Sequence, residues 1–177
     1  DALKAELGDR VTVDYGDVAR DDRADDGMPH WGGAGIGLVG GGNVCTSGFT
    51  VDTRTAGKAM VTAGHCFSNG QRIESGDEPY GTAQGESGFP TWDMMLINAS
   101  NQNYDDDIYH NPFRAENSPL DVAGGAEPAM GTSLCISGMV SKAVCGNTVD
   151  HLNAELCDAS GCTPGLYRTT RSSGTAC

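Results

Sequence analysis

Apolar and polar residues alternate over short runs along most of this chain. Glycine, proline or asparagine interrupts the alternation every few residues. "SGFTVDT" and "KAMVTA" flank the turn signal "RTAG", which predicts a β-hairpin. "QRIES", "PYGTA" and "TWDMMLIN" read as further strands. "WGGAGIGLVGGGNVC" reads as a strand with close backbone approaches; it lacks the strand–turn–helix setting of a dinucleotide-binding G-x-G-x-x-G. "NQNYDDDIYHNPFRAENSPLDVAGGAEP" is polar and turn-rich and reads as a connector between two halves. "TSLCISGMVSKAVCGNTVDHL" and "GLYRTTR" resume the strand-and-turn pattern. No segment carries an amphipathic helical period, and no short repeat is present. The pattern predicts an all-β chain with two groups of strands.

Composition sharpens this. Glycine, at 26 of 177 residues, suits short strands joined by tight turns. The net charge of −13, from 11 basic and 24 acidic residues, argues against nucleic acid or an anionic membrane surface as partner, since both need a basic footprint. No apolar run reaches the length of a membrane span. Residues 1–27 differ from the rest, with nine acids and four bases, a net of −5. Val11, Val13 and Tyr15 alternate there as in a strand. "ARDDRADDG" reads as a solvated linker, and its carboxylates do not follow the EF-hand spacing for calcium. The "NAS" sequon at Asn98 carries no weight.

The seven cysteines fall into local groups, Cys45/Cys66, Cys135/Cys145 and Cys157/Cys162, with Cys177 left over. Such grouping reads as the disulfide set of a secreted protein whose signal peptide has been removed. A zinc site would want CxxC-type pairs with histidine at ligand spacing, and only Cys66 sits beside a histidine. In "KAMVTAGHC" an apolar strand runs out into Thr62-Ala63-Gly64, then His65 and Cys66. A Cys45–Cys66 bridge would clasp the hairpin and hold His65 at a strand end, where a proton-shuttling histidine needs to be fixed. His30, His110 and His151 read as ordinary surface or packed residues. Asp93 is the sole charge between Gly88 and Ile97. Its two readings are a carboxylate that orients His65 and a strand-edge residue facing solvent.

"TAGHC", preceded by "CTSGF" and followed by "WDMMLI", resembles the chymotrypsin-like serine peptidases, in detail their secreted bacterial streptogrisin and α-lytic branch. "LCISGMVSKAVCG" is similar to that family's Cys-x-Ser-Gly segment, with a second cysteine ten residues on followed by glycine. The resemblance runs from about residue 31 to the end. It implies a Cys135–Cys145 bridge, while spacing alone points to a local Cys157–Cys162 bridge. It implies two antiparallel β-barrels with the cleft between them, His65 as general base, Asp93 orienting it, no cofactor, no metal, and a peptide or protein substrate. The domains expected are 1–27 as an N-terminal extension or pro-region remnant, 28–112 as the first barrel, and 113–177 as the first part of the second.

The family's Gly-Asp-Ser-Gly-Gly motif is absent from this sequence. In the family it follows shortly after a cysteine in the position of Cys177, which pairs further downstream. The resemblance therefore implies that the catalytic serine and the partner of Cys177 lie beyond residue 177, on a C-terminal complement. Ser87, in "GESGF", precedes Asp93 and reads as a decoy turn. Ser172 and Ser173 lack the Gly-Asp context. An incomplete second barrel would leave open strand edges. The alternative is a catalytically inactive homologue that keeps the fold as a binding module; a disulfide-stabilised structural protein leaves Asp93 and the matched cysteine segments unexplained.

Overall fold

The computed structural model describes residues 23–55, 57–110 and 119–171. The expected strand around Val11, Val13 and Tyr15 lies outside the described residues, as do Ser172, Ser173 and Cys177. Regular structure is almost wholly β. The strands are β1 His30–Gly32, β2 Gly35–Leu38, β3 Cys45–Thr46, β4 Thr50–Thr53, β5 Gly57–Thr62, β6 Arg72–Ser75, β7 Glu78–Gln84 and β8 Met95–Asn98. They continue with β9 Tyr104–Tyr109, β10 Pro119–Asp121, β11 Ser133–Gly138, β12 Lys142–Asp158 and β13 Gly161–Arg171.

Seven strands form one curled sheet in the order β3-β2-β6-β7-β8-β5-β4. The predicted hairpin is β4–β5, with Thr53 opposite Gly57. Every second residue of β8 turns inward, as Met95 and Ile97 do, because strand side chains alternate between faces. The inward set, with Ile36, Met60, Phe67, Ile73, Tyr80, Ala83 and Tyr104, makes one core. The Cys45–Cys66 disulfide packs against this core and ties β3 to the turn after β5. The glycine-rich segment does approach other backbone closely: a Cβ on Gly32 would stand 2.1 Å from the Gly48 carbonyl oxygen.

A second sheet, β11-β12-β13, is antiparallel throughout and carries the Cys135–Cys145 and Cys157–Cys162 disulfides. Among the described residues it is open, with β11 and β13 as its edges. The third sheet is β1-β9-β10, and two of its strands, β9 and β10, lie in what reads from sequence as a connector. β9 runs parallel to β1 and antiparallel to β10, and it buries Tyr104 and Tyr109 at its two ends. The acidic middle of "YDDDIY" hides this strand from a pattern reading.

"ARDDRADDG" is likewise not solvated along its described part, since Arg23 and Asp26 are buried. Both are hydrogen-bonded, which offsets part of the cost of burying a charge. Asp26 Oδ1 accepts from the Tyr109 hydroxyl at 2.6 Å, and Oδ2 accepts from the Trp31 N–H at 3.2 Å. His30 Nδ1 lies 3.4 Å from the same carboxylate, and its Nε2 meets Gln102 Oε1 at 2.8 Å. Burial pushes the Asp26 carboxyl up against the pull of His30 and Tyr109. Burial pulls His30 down, but its bonds to Asp26 and Gln102 outweigh that and hold it above its ordinary value. The Arg23 guanidinium donates to the Gly33 and Tyr109 carbonyls and to Ser137 Oγ, so it joins β11 to the rest of the molecule.

Two outcomes are expected. Asp107 and Asp121 face each other across β9 and β10. Burial, the carboxyl of Asp121 and the charge of Asp105 push Asp107 up to about 6 from the usual 3.8. A folded state that binds its proton more tightly than the unfolded chain loses stability as pH rises through that window. Asp107→Asn should therefore raise the melting temperature at pH 8, by the equivalent of about 1 kcal/mol, and flatten the decline above pH 4; thermal melts across pH 4–8 check this, and an unchanged or lower value at pH 8 would refute it. Replacing Cys45 and Cys66 together by serine opens a crosslink with a sequence separation of 21. Denaturant titration should show a loss of about 3 kcal/mol.

Candidate active site

Strand pairing brings the two candidate catalytic residues together. β5 and β8 are antiparallel, with Thr62 opposite Met95. The residues that leave β5 therefore lie beside those that enter β8. After Thr62 the chain turns through a one-turn 3-10 helix, Gly64–Cys66. Gly64 sits hard against the other segment: a Cβ there would be 3.1 Å from both the N and the O of Met94. That closeness puts His65 directly against Asp93.

The Asp93 carboxylate grips His65 twice. Oδ1 accepts the His65 backbone N–H at 2.8 Å, and Oδ2 meets ring Nδ1 at 2.8 Å. A carboxylate only accepts, so Nδ1 is the donor, and in the neutral imidazole Nε2 is then the acceptor. The His65 side chain is 55% exposed and that of Asp93 23%. The sequence run suggested a buried strand, but Asp93 lies in the irregular segment before β8, and its neighbours Trp92 and Met94 are 62% and 49% exposed. Its carboxylate is turned to His65 rather than facing only solvent.

The loop carrying Asp93 is pinned by Ser87, whose hydroxyl reaches the carbonyls of Trp92 at 3.2 Å and Met94 at 2.9 Å. Ser87 lies in the irregular segment after β7 with its hydroxyl engaged. Cys45, Cys66 and His65 bring ligand atoms within 4.8 Å of one another, but both sulfurs are joined in a disulfide and are not thiolates.

Sequence reasoning missed the other wall. A hollow of about 130 Å³ opens beside His65, lined by Phe89, Asp93, Leu156, Asp158, Gly161 and Thr163. The Phe89 ring stands 6.0 Å from the imidazole, centroid to centroid. The remaining wall is the tip of the β12–β13 hairpin, where Cys157 pairs with Cys162 and Asp158 with Gly161. Thr163 Oγ1 donates to the Pro90 carbonyl at 2.6 Å. A Cβ on Gly161 would stand 2.5 Å from Pro90 Cγ, so glycine lets the tip rest on the Asp93 loop. The cysteine spacing marks the clasp of this hairpin; nothing local in the sequence says where its tip lands. No serine lines the hollow among the described residues.

No protein-family model matches the sequence, and no curated protein is significantly similar to it. Solved structures are. Thermobifida fusca Protease A shares 32% identity over 79% of this chain and 69% of its own, with a TM-score of 0.65. Cellulomonas bogoriensis chymotrypsin shares 29% over 79% and 69%, at 0.64. Nocardiopsis protease shares 26% over 78% and 70%, at 0.66. With its curled β-sheet, its strand-end histidine and these relatives, the chain belongs to the bacterial chymotrypsin-like serine proteases.

Proposed function

We propose that this protein is a secreted serine endopeptidase that cleaves peptide bonds through an acyl-enzyme, with His65 as general base and Asp93 holding its tautomer. The observation that carries this reading is the double grip of Asp93 on His65. It leaves Nε2 free, at the edge of a hollow, to take a proton. In the proposed reaction a serine hydroxyl attacks the scissile carbonyl carbon while Nε2 accepts its proton. The same proton passes to the leaving amine as the C–N bond breaks. Water then attacks the ester, gives a proton to Nε2, and the serine is released as its proton returns. No cofactor takes part in this scheme.

The nucleophile in this reading is a serine other than Ser87, which is committed to its own loop. Among the described residues no serine lines the hollow, and the β11-β12-β13 sheet has open edges. Residues 28–112 then form the first barrel and 113–177 the first part of the second, with 1–27 an N-terminal extension or pro-region remnant. Secretion is supported by three disulfides, which persist in oxidising surroundings.

Intact mass of the natural protein, before and after reduction, should reveal a serine-bearing segment continuous with the chain or released from Cys177. A fluorophosphonate probe should label that serine. His65→Ala should lower kcat on peptide substrates by at least about 10³-fold, and Asp93→Asn by on the order of 10⁴-fold with KM little changed. A folded, complete protein that neither labels nor cleaves would instead be the inactive homologue, a binding module on the same fold.

A further inference from the structure

The hollow beside His65 has the chemistry of a site for a cation. Its faces are apolar, the Phe89 ring on one side and Leu156 on the other, and Leu156 is 68% exposed although it fronts the cleft. Two carboxylates border it, but they are not equivalent. Both oxygens of Asp93 are engaged by His65. Asp158 gives one oxygen to the Ser160 N–H at 2.7 Å. Its other oxygen makes no hydrogen bond among the described residues, so Asp158 offers a charged donor a whole oxygen where Asp93 offers none. Among the described residues, no lysine or arginine lines the hollow to neutralise it.

The position of Asp158 is fixed from both sides. The Cys157–Cys162 disulfide closes the hairpin next to it. The contacts of Gly161 and Thr163 with Pro90 hold the same tip on the Asp93 loop. A pre-placed carboxylate at the rim of an apolar slot fits a side chain with an aliphatic stem and a positive head, which lies along apolar surface while its head stays near water. A peptide whose leaving amine is within reach of His65 Nε2 brings the side chains flanking the scissile bond close to this hollow, because His65 lines it and successive Cα atoms are only about 3.8 Å apart.

We propose that Asp158 is a specificity residue that selects lysine or arginine at the substrate position lying against the His65 ring. This rests on the proteolytic reading for its catalytic consequence, but not for the binding itself. The net charge of −13 works in the same direction, since it favours the approach of cationic peptides.

The test has two arms on the complete protein. In the first, fluorogenic peptides varied one position at a time carry Arg, Lys or norleucine beside the scissile bond. At one position the wild type should prefer Arg and Lys over norleucine by about fivefold in kcat/KM, through KM, as a partly exposed ion pair gives. Asp158→Asn should bring that ratio to about one, Asp158→Lys should invert it, and Asp158→Glu should retain it. In the second arm, acetyl-Gly-Arg-Gly-amide and its norleucine analogue are titrated while the ring protons of His65 and Phe89 are followed by NMR. The arginine peptide should bind more tightly to the wild type and equally to Asp158→Asn. Cleavage without a preference that depends on Asp158 would overturn this inference and leave the protease reading standing. Arginine binding lost in Asp158→Asn, in a protein that does not cleave, would uphold it and overturn the catalysis. Equal binding of both peptides to the wild type would overturn it by itself.

Discussion

A slip of one residue in the pairing of Thr62 with Met95 would turn the side chains of β8 to the opposite face of the sheet. Met95 and Ile97 would leave the core, and Asp93 would no longer meet the turn that follows β5. Register is thus the constraint on which the site depends, and the core enforces it. Burying Met60, Met95 and Ile97 together is worth several kcal/mol, about 1.5–3 for each such side chain. The polar contact between His65 and Asp93 is exposed and worth far less. Hydrophobic packing sets the geometry, and the carboxylate uses it. The disulfide from Cys45 to Cys66 adds a covalent stop immediately after the histidine.

The rest of the molecule repeats this division between apolar packing and a few fully partnered polar groups. Asp26, His30, Tyr109 and Arg23 are charged or polar and deeply placed, yet each has partners from different elements. Through them the segment before β1 is fastened to β9 and to β11. That network shares no residue with the hollow beside His65. The wall of the hollow is built separately, by the long hairpin of β12 and β13 reaching back to Pro90.

Much of this was legible in the residues, for reasons that can be named. Short apolar runs bounded by turn residues reveal β4 to β8, and in β6 and β8 every second residue packs on the core side while its neighbours are more exposed. The partnership of His65 with Asp93 was visible as a strand-end histidine and a lone carboxylate in an apolar run. The run also misled, since Trp92 and Met94 are apolar yet exposed. β9 was hidden because three consecutive aspartates disfavour strand on composition. There, pairing with β1 and β10 overrides propensity, and the anchors are the tyrosines at its ends. The burial of Arg23 and Asp26 was hidden for a related reason: a charge run reads as solvated until its partners, far off in sequence, are known. The docking of the β12–β13 tip joins residues separated by 73 positions, and no local pattern encodes that.

The clasp at that tip has a consequence in time as well as in space. Cys157 and Cys162 are held together only after two thiols have been oxidised. A chain whose thiols are still reduced has the paired strands of the arm but not its covalent clasp. The wall beside His65 is therefore locked only where thiols become disulfides, and the redox state of the surroundings, not the fold alone, decides when that happens.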